Sequence, residues 1–140
     1  MLLVDDNPAD TDLIGDVLAR NRCLTNVHAV LDGVEAIAFL HRQGKYSGES
    51  LPDLVVLDLN LPGKDGRAVL AEIKADPLLR MTPIVIFSSS EARDDIVHSY
   101  ELGANSYVNK PGNLQDFILA VTSIGEFWFC SARMPREEEQ

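Results

Sequence analysis

Short apolar runs recur along the chain and are separated by longer segments in which apolar residues repeat with helical spacing. Four runs are too short for helices and consist mostly of valine, isoleucine, leucine and aromatic residues, at positions 1–4, 54–57, 83–87 and 106–108. A weaker run at positions 26–30 comes just before the turn signal Asp32-Gly33. The pattern therefore predicts five strands.

The segments between these runs have the periodicity of amphipathic helices. Asn7 can cap the first of them, and Pro8 suits an early helical position. The predicted helices span positions 8–20, 34–41, 67–75, 91–102 and 113–129. Strands that alternate with helices predict right-handed crossovers and a parallel sheet with helices on both faces, which is the α/β class. The polar stretch 42–52 is predicted to be a surface connection.

Composition narrows the functional classes. The 140 residues suffice for one domain, and 46% of them are hydrophobic, which allows a sizeable core. A net charge of −10 argues against binding to nucleic acid. The sequence contains neither an apolar run long enough to cross a bilayer nor a secretory signal, so we expect a cytoplasmic protein with no membrane partner. Cys23 and Cys130 form no C-x-x-C motif and are interpreted as buried or incidental thiols.

Chemically useful side chains follow four of the predicted strands. The pair Asp5 and Asp6, then Asp58, Ser88 and Lys110, all lie at or just past strand ends. Because the carboxyl ends of parallel strands meet at one crevice, these residues are expected to converge. Three carboxylates in one crevice favour a hard divalent cation such as Mg²⁺. The lysine and the serine can then bind phosphoryl oxygens, with Asp58 as the available nucleophile.

Four motifs together resemble the CheY-like receiver domains of two-component response regulators. They are V-D-D-N at 4–7, V-V-L-D-L-N-L-P-G-K-D-G at 55–66, F-S-S-S at 87–90 and Y-V-N-K-P at 107–111. The resemblance implies a flavodoxin-like, doubly wound sheet of five parallel strands in the order 2-1-3-4-5. It also implies a phospho-accepting signalling switch that turns over no external substrate.

The resemblance also assigns roles at the site. It implies that Asp58 accepts the phosphoryl group and that Lys110 contacts that group. Asp5, Asp6 and Asp58 would hold Mg²⁺ together with the backbone carbonyl of Asn60.

The same resemblance makes Ser88 the switch hydroxyl and Tyr107 the aromatic switch residue that moves inward. It further implies a cis peptide bond between Lys110 and Pro111.

The expected partners follow from the length of the chain. We expect a receiver domain over residues 1–130 and a short acidic tail over 131–140, disordered from 136 onward, with no output domain, so that signals pass through protein contacts. The partner implied by the resemblance is a sensor histidine kinase. The 42–52 segment and the F-W ending further resemble the stand-alone receivers that partner bacterial, especially cyanobacterial, phytochrome histidine kinases. On a helical wheel, Leu119 and Phe127 fall outside an apolar stripe that includes Leu114 and faces the sheet, so they are candidate homodimer contacts.

Other functional classes fit these residues less well. A haloacid-dehalogenase-type phosphohydrolase needs a D-x-D motif after its first strand, and Asp6 followed by Asn7 and Pro8 breaks that spacing. A nucleotide-binding module would need a glycine-rich or hydroxyl-rich phosphate loop at the same place. A receiver-fold adaptor that works without phosphorylation remains the alternative, although the retained acidic residues and Lys110 disfavour it.

Overall fold

A computed structural model describes residues 1–23 and 26–135. Its strands are β1 (Leu2–Val4), β2 (His28–Val30), β3 (Val55–Leu57), β4 (Ile84–Ser88) and β5 (Ser106–Asn109). Its α-helices are α1 (Pro8–Leu18), α2 (Gly33–Leu40), α3 (Gly66–Ala75), α4 (Arg93–Glu101) and α5 (Leu114–Gly125). All strand pairs are parallel and the order is β2-β1-β3-β4-β5, so the predicted fold class and strand order are confirmed.

The strands are apolar at consecutive positions because both faces of the sheet are covered. In β3, Val55 and Leu57 belong to the core on the side of α2 and α3, whereas Val56 belongs to the core on the side of α1 and α5. In β4, Ile84 and Ile86 lie in the core on the side of α2 and α3, and Val85 lies in the core on the side of α1 and α5. Successive side chains of a strand point to opposite faces, so a sheet buried on both faces needs an unbroken apolar run.

Side-chain caps start most of the helices where the strand ends meet. In four of the α-helices the residue before the first turn accepts a hydrogen bond from a backbone N–H of that turn; these caps are Asn7, Asp32, Asp65 and Asn113. Gly103 follows α4 with a φ of +107°, the left-handed conformation that commonly ends a helix.

The last helix differs from its prediction. The α-helical part ends at Gly125, and the chain continues as a wider π-helical turn from Glu126 to Ser131. The prediction that Leu114 faces the sheet is wrong, because its side chain is 63% exposed. It lies in the first turn of α5, where it lines a cavity instead of packing in the core. Leu119 and Phe127 are exposed, as the helical wheel predicted.

The connection predicted to be a surface loop is partly buried. Residues 44–46 form a short 3₁₀ helix that places Tyr46 in the core. The ring of Tyr46 packs against Phe39 of α2 and His28 of β2, with ring centroids 5.2 Å and 5.7 Å away. The segment therefore covers the edge strand β2 and one end of α2.

The interpretation of both cysteines as buried or incidental thiols is wrong. Cys23 and Cys130 are exposed and joined by a disulfide, with their Cα atoms 5.6 Å apart. The physical reason is the packing of α1 beside α5, which brings the residues after each helix together. Met134 is buried in the core on this side, and the predicted tail from residue 136 onward lies outside the described residues. Within the described ranges, no helix is both long and apolar enough to cross a membrane.

Candidate functional site

Two acidic residues are held side by side by the register of the central strands. Val4 pairs with Leu57, so Asp5 and Asp58 each follow a paired residue by one position. The backbone ladder continues through both: the Asp58 N–H donates to the Val4 carbonyl at 2.9 Å, and the Asp5 N–H donates to the Val30 carbonyl at 3.2 Å. These carboxylates therefore lie on rigid backbone at the centre of the sheet's carboxyl edge.

Lys110 reaches the same edge from the end of β5. Its backbone N–H donates to the Ser88 carbonyl at 2.8 Å. Its ammonium Nζ lies 2.7 Å from Asp5 Oδ2, 2.9 Å from Asp10 Oδ2 and 3.0 Å from Asp58 Oδ2. The lysine side chain is only 7% exposed. One largely buried cation is thus shared by three carboxylates.

Burial and charge act in opposite directions on the pKa values here. Desolvation raises the pKa of the Asp5 carboxyl above its ordinary value, even though hydrogen bonds from Lys110 and from the Asn7 N–H work against this rise. Desolvation alone would lower the pKa of the Lys110 ammonium. Hydrogen bonds to Asp5 and Asp10, together with the charges of Asp5 and Asp58, outweigh it and raise that pKa. Lys110 is therefore a permanent cation at neutral pH.

A second arrangement at this edge has the donor set of a cation site. Asp5, Asp6 and Asp58 each offer a carboxylate oxygen, and these oxygens lie within 4.8 Å of one another. Asp6 is exposed, which leaves the group accessible from solvent. Oxygen-only ligands that carry several negative charges suit hard divalent cations such as Mg²⁺ or Ca²⁺. The residues present therefore fit a divalent cation.

The loop after β3 folds back tightly onto the residues that directly follow this strand. The Gly66 N–H donates to the Leu59 carbonyl at 2.9 Å. A Cβ atom at Gly66 would lie 2.2 Å from the Asp58 carbonyl oxygen, so only glycine fits there. Within the loop, the Asn60 N–H lies 3.4 Å from Asp58 Oδ1. The role of the Asn60 carbonyl as a metal ligand stays a prediction.

The predicted switch residues meet at the loop between β4 and α4. Ser88 is fully buried at the end of β4, and its Oγ accepts a hydrogen bond from the Ser90 N–H at 3.2 Å. The Tyr107 hydroxyl donates to the Ser90 carbonyl at 2.8 Å, and Asn109 Nδ2 donates to the same carbonyl at 2.7 Å. The hydroxyl and the aromatic ring are thus connected through the backbone of a single residue.

The same loop is tied to two helices. Ser90 Oγ donates to Asp95 Oδ2 of α4 at 2.5 Å, and Arg67 of α3 donates to Asp95 Oδ1 at 2.5 Å. The hydrogen bond from Ser90, followed by the Arg67 guanidinium, holds the pKa of the Asp95 carboxyl below its ordinary value. In contrast, α4 itself is weakly anchored: of its residues only Ser99 is buried.

Two features of the site differ from what the sequence indicated. The described residues contain no cis peptide bond, so the expected cis bond between Lys110 and Pro111 is wrong for this structure. Lys110 reaches all three carboxylates with that bond in the trans form. The third carboxylate, Asp10, was missed. Its only signal in the sequence is an acidic residue in the first turn of a capped helix.

Comparison with known proteins decides the family. Residues 1–122 match the family described as the response regulator receiver domain. The chain belongs to this family. Response regulators of this kind are signalling switches that work with sensor histidine kinases. The cluster of Asp5, Asp6 and Asp58 has the donor set of the divalent-cation site that receiver domains carry.

Individual relatives agree with the family match. Response regulator Rcp1 of Synechocystis is 43% identical over 135 residues, which cover 96% of this chain and 92% of that protein. The solved structure of the phosphorylated cyanobacterial phytochrome response regulator RcpA is 49% identical, with a TM-score of 0.92 and 96% of each chain covered. The Mn²⁺-bound form of Rcp1 has the same TM-score of 0.92 at 43% identity, with 96% of each chain covered. The recognition of a receiver domain is thus confirmed.

Proposed function

We propose that Asp58 accepts a phosphoryl group from a sensor histidine kinase in a Mg²⁺-dependent reaction. The single observation that carries this proposal is the position of the Lys110 ammonium, bonded at once to Asp5 and Asp58 beside the three-carboxylate cluster. A cation and a carboxylate nucleophile are thereby presented together at one accessible edge of the sheet.

The chain's own residues divide the work of the transfer. An Asp58 carboxylate oxygen attacks phosphorus, and the bond from phosphorus to the donor's leaving atom breaks, so the electron pair leaves with the donor. Lys110 stays within reach of the oxygens of the incoming group and stabilises their charge. Asp5 and Asp6 would hold Mg²⁺, with the Asn60 carbonyl as a further ligand. When bound, that cation neutralises charge on the phosphoryl oxygens and on the carboxylates.

The signal is proposed to leave through the β4–α4 loop. Once Asp58 carries a phosphoryl group, Ser88 can donate its hydroxyl hydrogen to a phosphoryl oxygen, and the Ser90 backbone beside it must adjust. Tyr107 and Asn109 both bond the Ser90 carbonyl, so they sense that adjustment directly. The helix that follows buries only Ser99, and the bond from Ser90 to Asp95 ties its first turn to this loop.

The test is phosphorylation by a small-molecule donor. The protein is incubated with acetyl phosphate, with and without Mg²⁺, and the intact mass is followed. We expect one added phosphoryl group that requires Mg²⁺, and no addition to Asp58→Asn, because an amide is not a competent nucleophile. Asp94→Asn, which removes an exposed charge on α4, is the matched control and should be labelled normally.

Either of two results would contradict the proposal. Labelling of Asp58→Asn would place the acceptor elsewhere. If neither acetyl phosphate nor a phosphorylated histidine kinase labels the protein, the adaptor function takes its place. We also propose that the protein hydrolyses its own aspartyl phosphate. Loss of the added mass over time in the same samples measures this autodephosphorylation.

The proposed partners are a phytochrome-type histidine kinase, a downstream protein and a second copy of the chain. The names of RcpA and of its relatives support the first of these. Leu119 and Phe127 support the dimer, because their apolar side chains are 59% and 55% exposed on the last helix and on the turn that follows it. A cytoplasmic location belongs to the same proposal, since it follows from work with a kinase of this class.

A further inference from the structure

Asp10 is the one carboxylate of the lysine site that lies outside the cation cluster. Three carboxylates bond the Lys110 ammonium, namely Asp5, Asp10 and Asp58. Two of them also belong to the cluster of Asp5, Asp6 and Asp58, whose oxygens lie within 4.8 Å of one another. A bound cation would draw on the charge and the lone pairs of those two. It would leave Asp10 as the lysine's independent partner.

The number of donors on the lysine makes this distinction matter. An ammonium has three N–H groups, and in this structure all three have carboxylate partners. To bind a phosphoryl oxygen, Lys110 must release at least one of them. The bonds to Asp5 and Asp58 are the ones weakened by the cation and by phosphorylation, so the bond to Asp10 is the one that can persist.

The backbone of Asp10 is fixed for this purpose. Its N–H is bound by the Asn7 side chain at 3.2 Å, in the capped first turn of α1. The Asn7 N–H in turn donates to Asp5 Oδ1 at 3.0 Å. Asp10 therefore belongs to a helical turn that is hydrogen-bonded to the site through Asn7. Its side chain is 25% exposed. Asp10 lines a cavity of about 280 Å³ together with Lys110 and Ser89.

We propose that Asp10 is a positioning residue for phosphorylation: it holds the Lys110 ammonium in place while Asp5 and Asp58 are engaged by the cation and the phosphoryl group. This inference rests on the proposed function of Asp58. It assigns to Asp10 no contact with the reacting atoms, only an action through Lys110.

A double-mutant cycle tests the proposal. The maximal rate of labelling by acetyl phosphate at saturating Mg²⁺ is measured for the wild type, Asp10→Asn, Lys110→Ala and the combination. We expect Asp10→Asn to slow labelling by about tenfold, the size of one charge-assisted hydrogen bond. In the Lys110→Ala background the same change should have no further effect. Asp10→Glu, which keeps the charge, should recover part of the rate.

A helix-charge effect predicts a different pattern. Asp12→Asn removes an exposed carboxylate from the same helix and should leave the rate unchanged. An equal loss of rate from Asp10→Asn in both backgrounds, or no loss in either, would overturn the proposal. A faster reaction in Asp10→Asn would also overturn it, because it would mean that Asp10 withholds the lysine.

A second readout needs neither cation nor phosphoryl donor. In the presence of a metal chelator, Asp10→Asn should lower the urea midpoint of unfolding when Lys110 is present. It should raise the midpoint, or leave it unchanged, in the Lys110→Ala background, where removing a carboxylate relieves repulsion. The same midpoint change in both backgrounds contradicts the coupling. Failure of the proposed function would give a different result. The wild-type protein would take up no label, whereas the urea midpoints would still show the coupling between Asp10 and Lys110.

Discussion

The metal-free stability of the protein should depend on the Lys110 ammonium more than on any surface ion pair. Lys110→Ala removes a cation that is 7% exposed and leaves Asp5 and Asp58, whose side chains are 2% and 10% exposed, without a counter-charge. Loss of one partner from a buried ion pair costs about 3–5 kcal/mol. Asp10 is 25% exposed, so water can reach the carboxylates from that side. We therefore expect the free energy of unfolding to fall by an amount near the lower limit, about 3 kcal/mol.

The measurement is urea unfolding at neutral pH in the presence of a chelator. With a denaturant slope of about 2 kcal/mol per molar, the midpoint should fall by roughly 1.5 M. Adding Mg²⁺ should then stabilise Lys110→Ala more than the wild type, because the lysine no longer competes for Asp5 and Asp58. The difference between the two proteins should therefore narrow as the cation concentration rises.

Two controls make the result interpretable. Lys110→Met keeps much of the aliphatic stem and should lose nearly as much stability as the alanine variant, since the loss comes from the charge. Lys64→Met removes a partly exposed pair with Glu72 and should cost less than about 1 kcal/mol. If Lys110→Ala unfolds at the wild-type midpoint in chelator, or if Mg²⁺ widens the difference, the account of the site as a cation-compensated carboxylate cluster is refuted.

Other expectations concern packing, titration and assembly. Gly66→Ala should destabilise the protein by about 2 kcal/mol in urea unfolding and slow acetyl phosphate labelling, because its Cβ would press on the Asp58 carbonyl. Burial, then the hydrogen bond to Glu35, raises the pKa of the Tyr46 phenol to about 12. The stability that Tyr46 contributes should be complete below about pH 10 and lost as the pH rises through about 12. An absorbance titration should show a late step that is absent in Tyr46→Phe. Phe127→Asp should shift the protein toward monomer in sedimentation velocity, and an unchanged distribution would remove Phe127 from the dimer interface.

The arrangement of the strand ends could be predicted because it depends on local pattern and on general topology. Apolar runs identify buried strands, and parallel strands bring their carboxyl ends together, so Asp5, Asp58 and Lys110 had to share an edge. The motifs around them then selected the family. Nothing in this inference required knowledge of which atoms touch.

Contacts between elements distant in sequence could not be predicted in the same way. The disulfide joins Cys23 and Cys130, which are 107 residues apart, and only the packing of α1 beside α5 brings them together. Leu114 satisfies the apolar spacing of α5, yet it is exposed and lines a cavity instead of packing in the core. Helical periodicity gives the direction of a face but not the extent of the surface it meets.

The sequence by itself determined the α/β fold, the strand order through its motifs, and the convergence of Asp5, Asp58 and Lys110 at one edge of the sheet, because these depend on residue type and spacing. Only the tertiary structure decided how the charges are shared. Whether Asp10 meets Lys110 depends on the angle at which α1 leaves the sheet, and that angle is set by the packing of the whole helix. The distribution of four carboxylates between the lysine and the cluster of Asp5, Asp6 and Asp58 is for that reason a property of the folded chain.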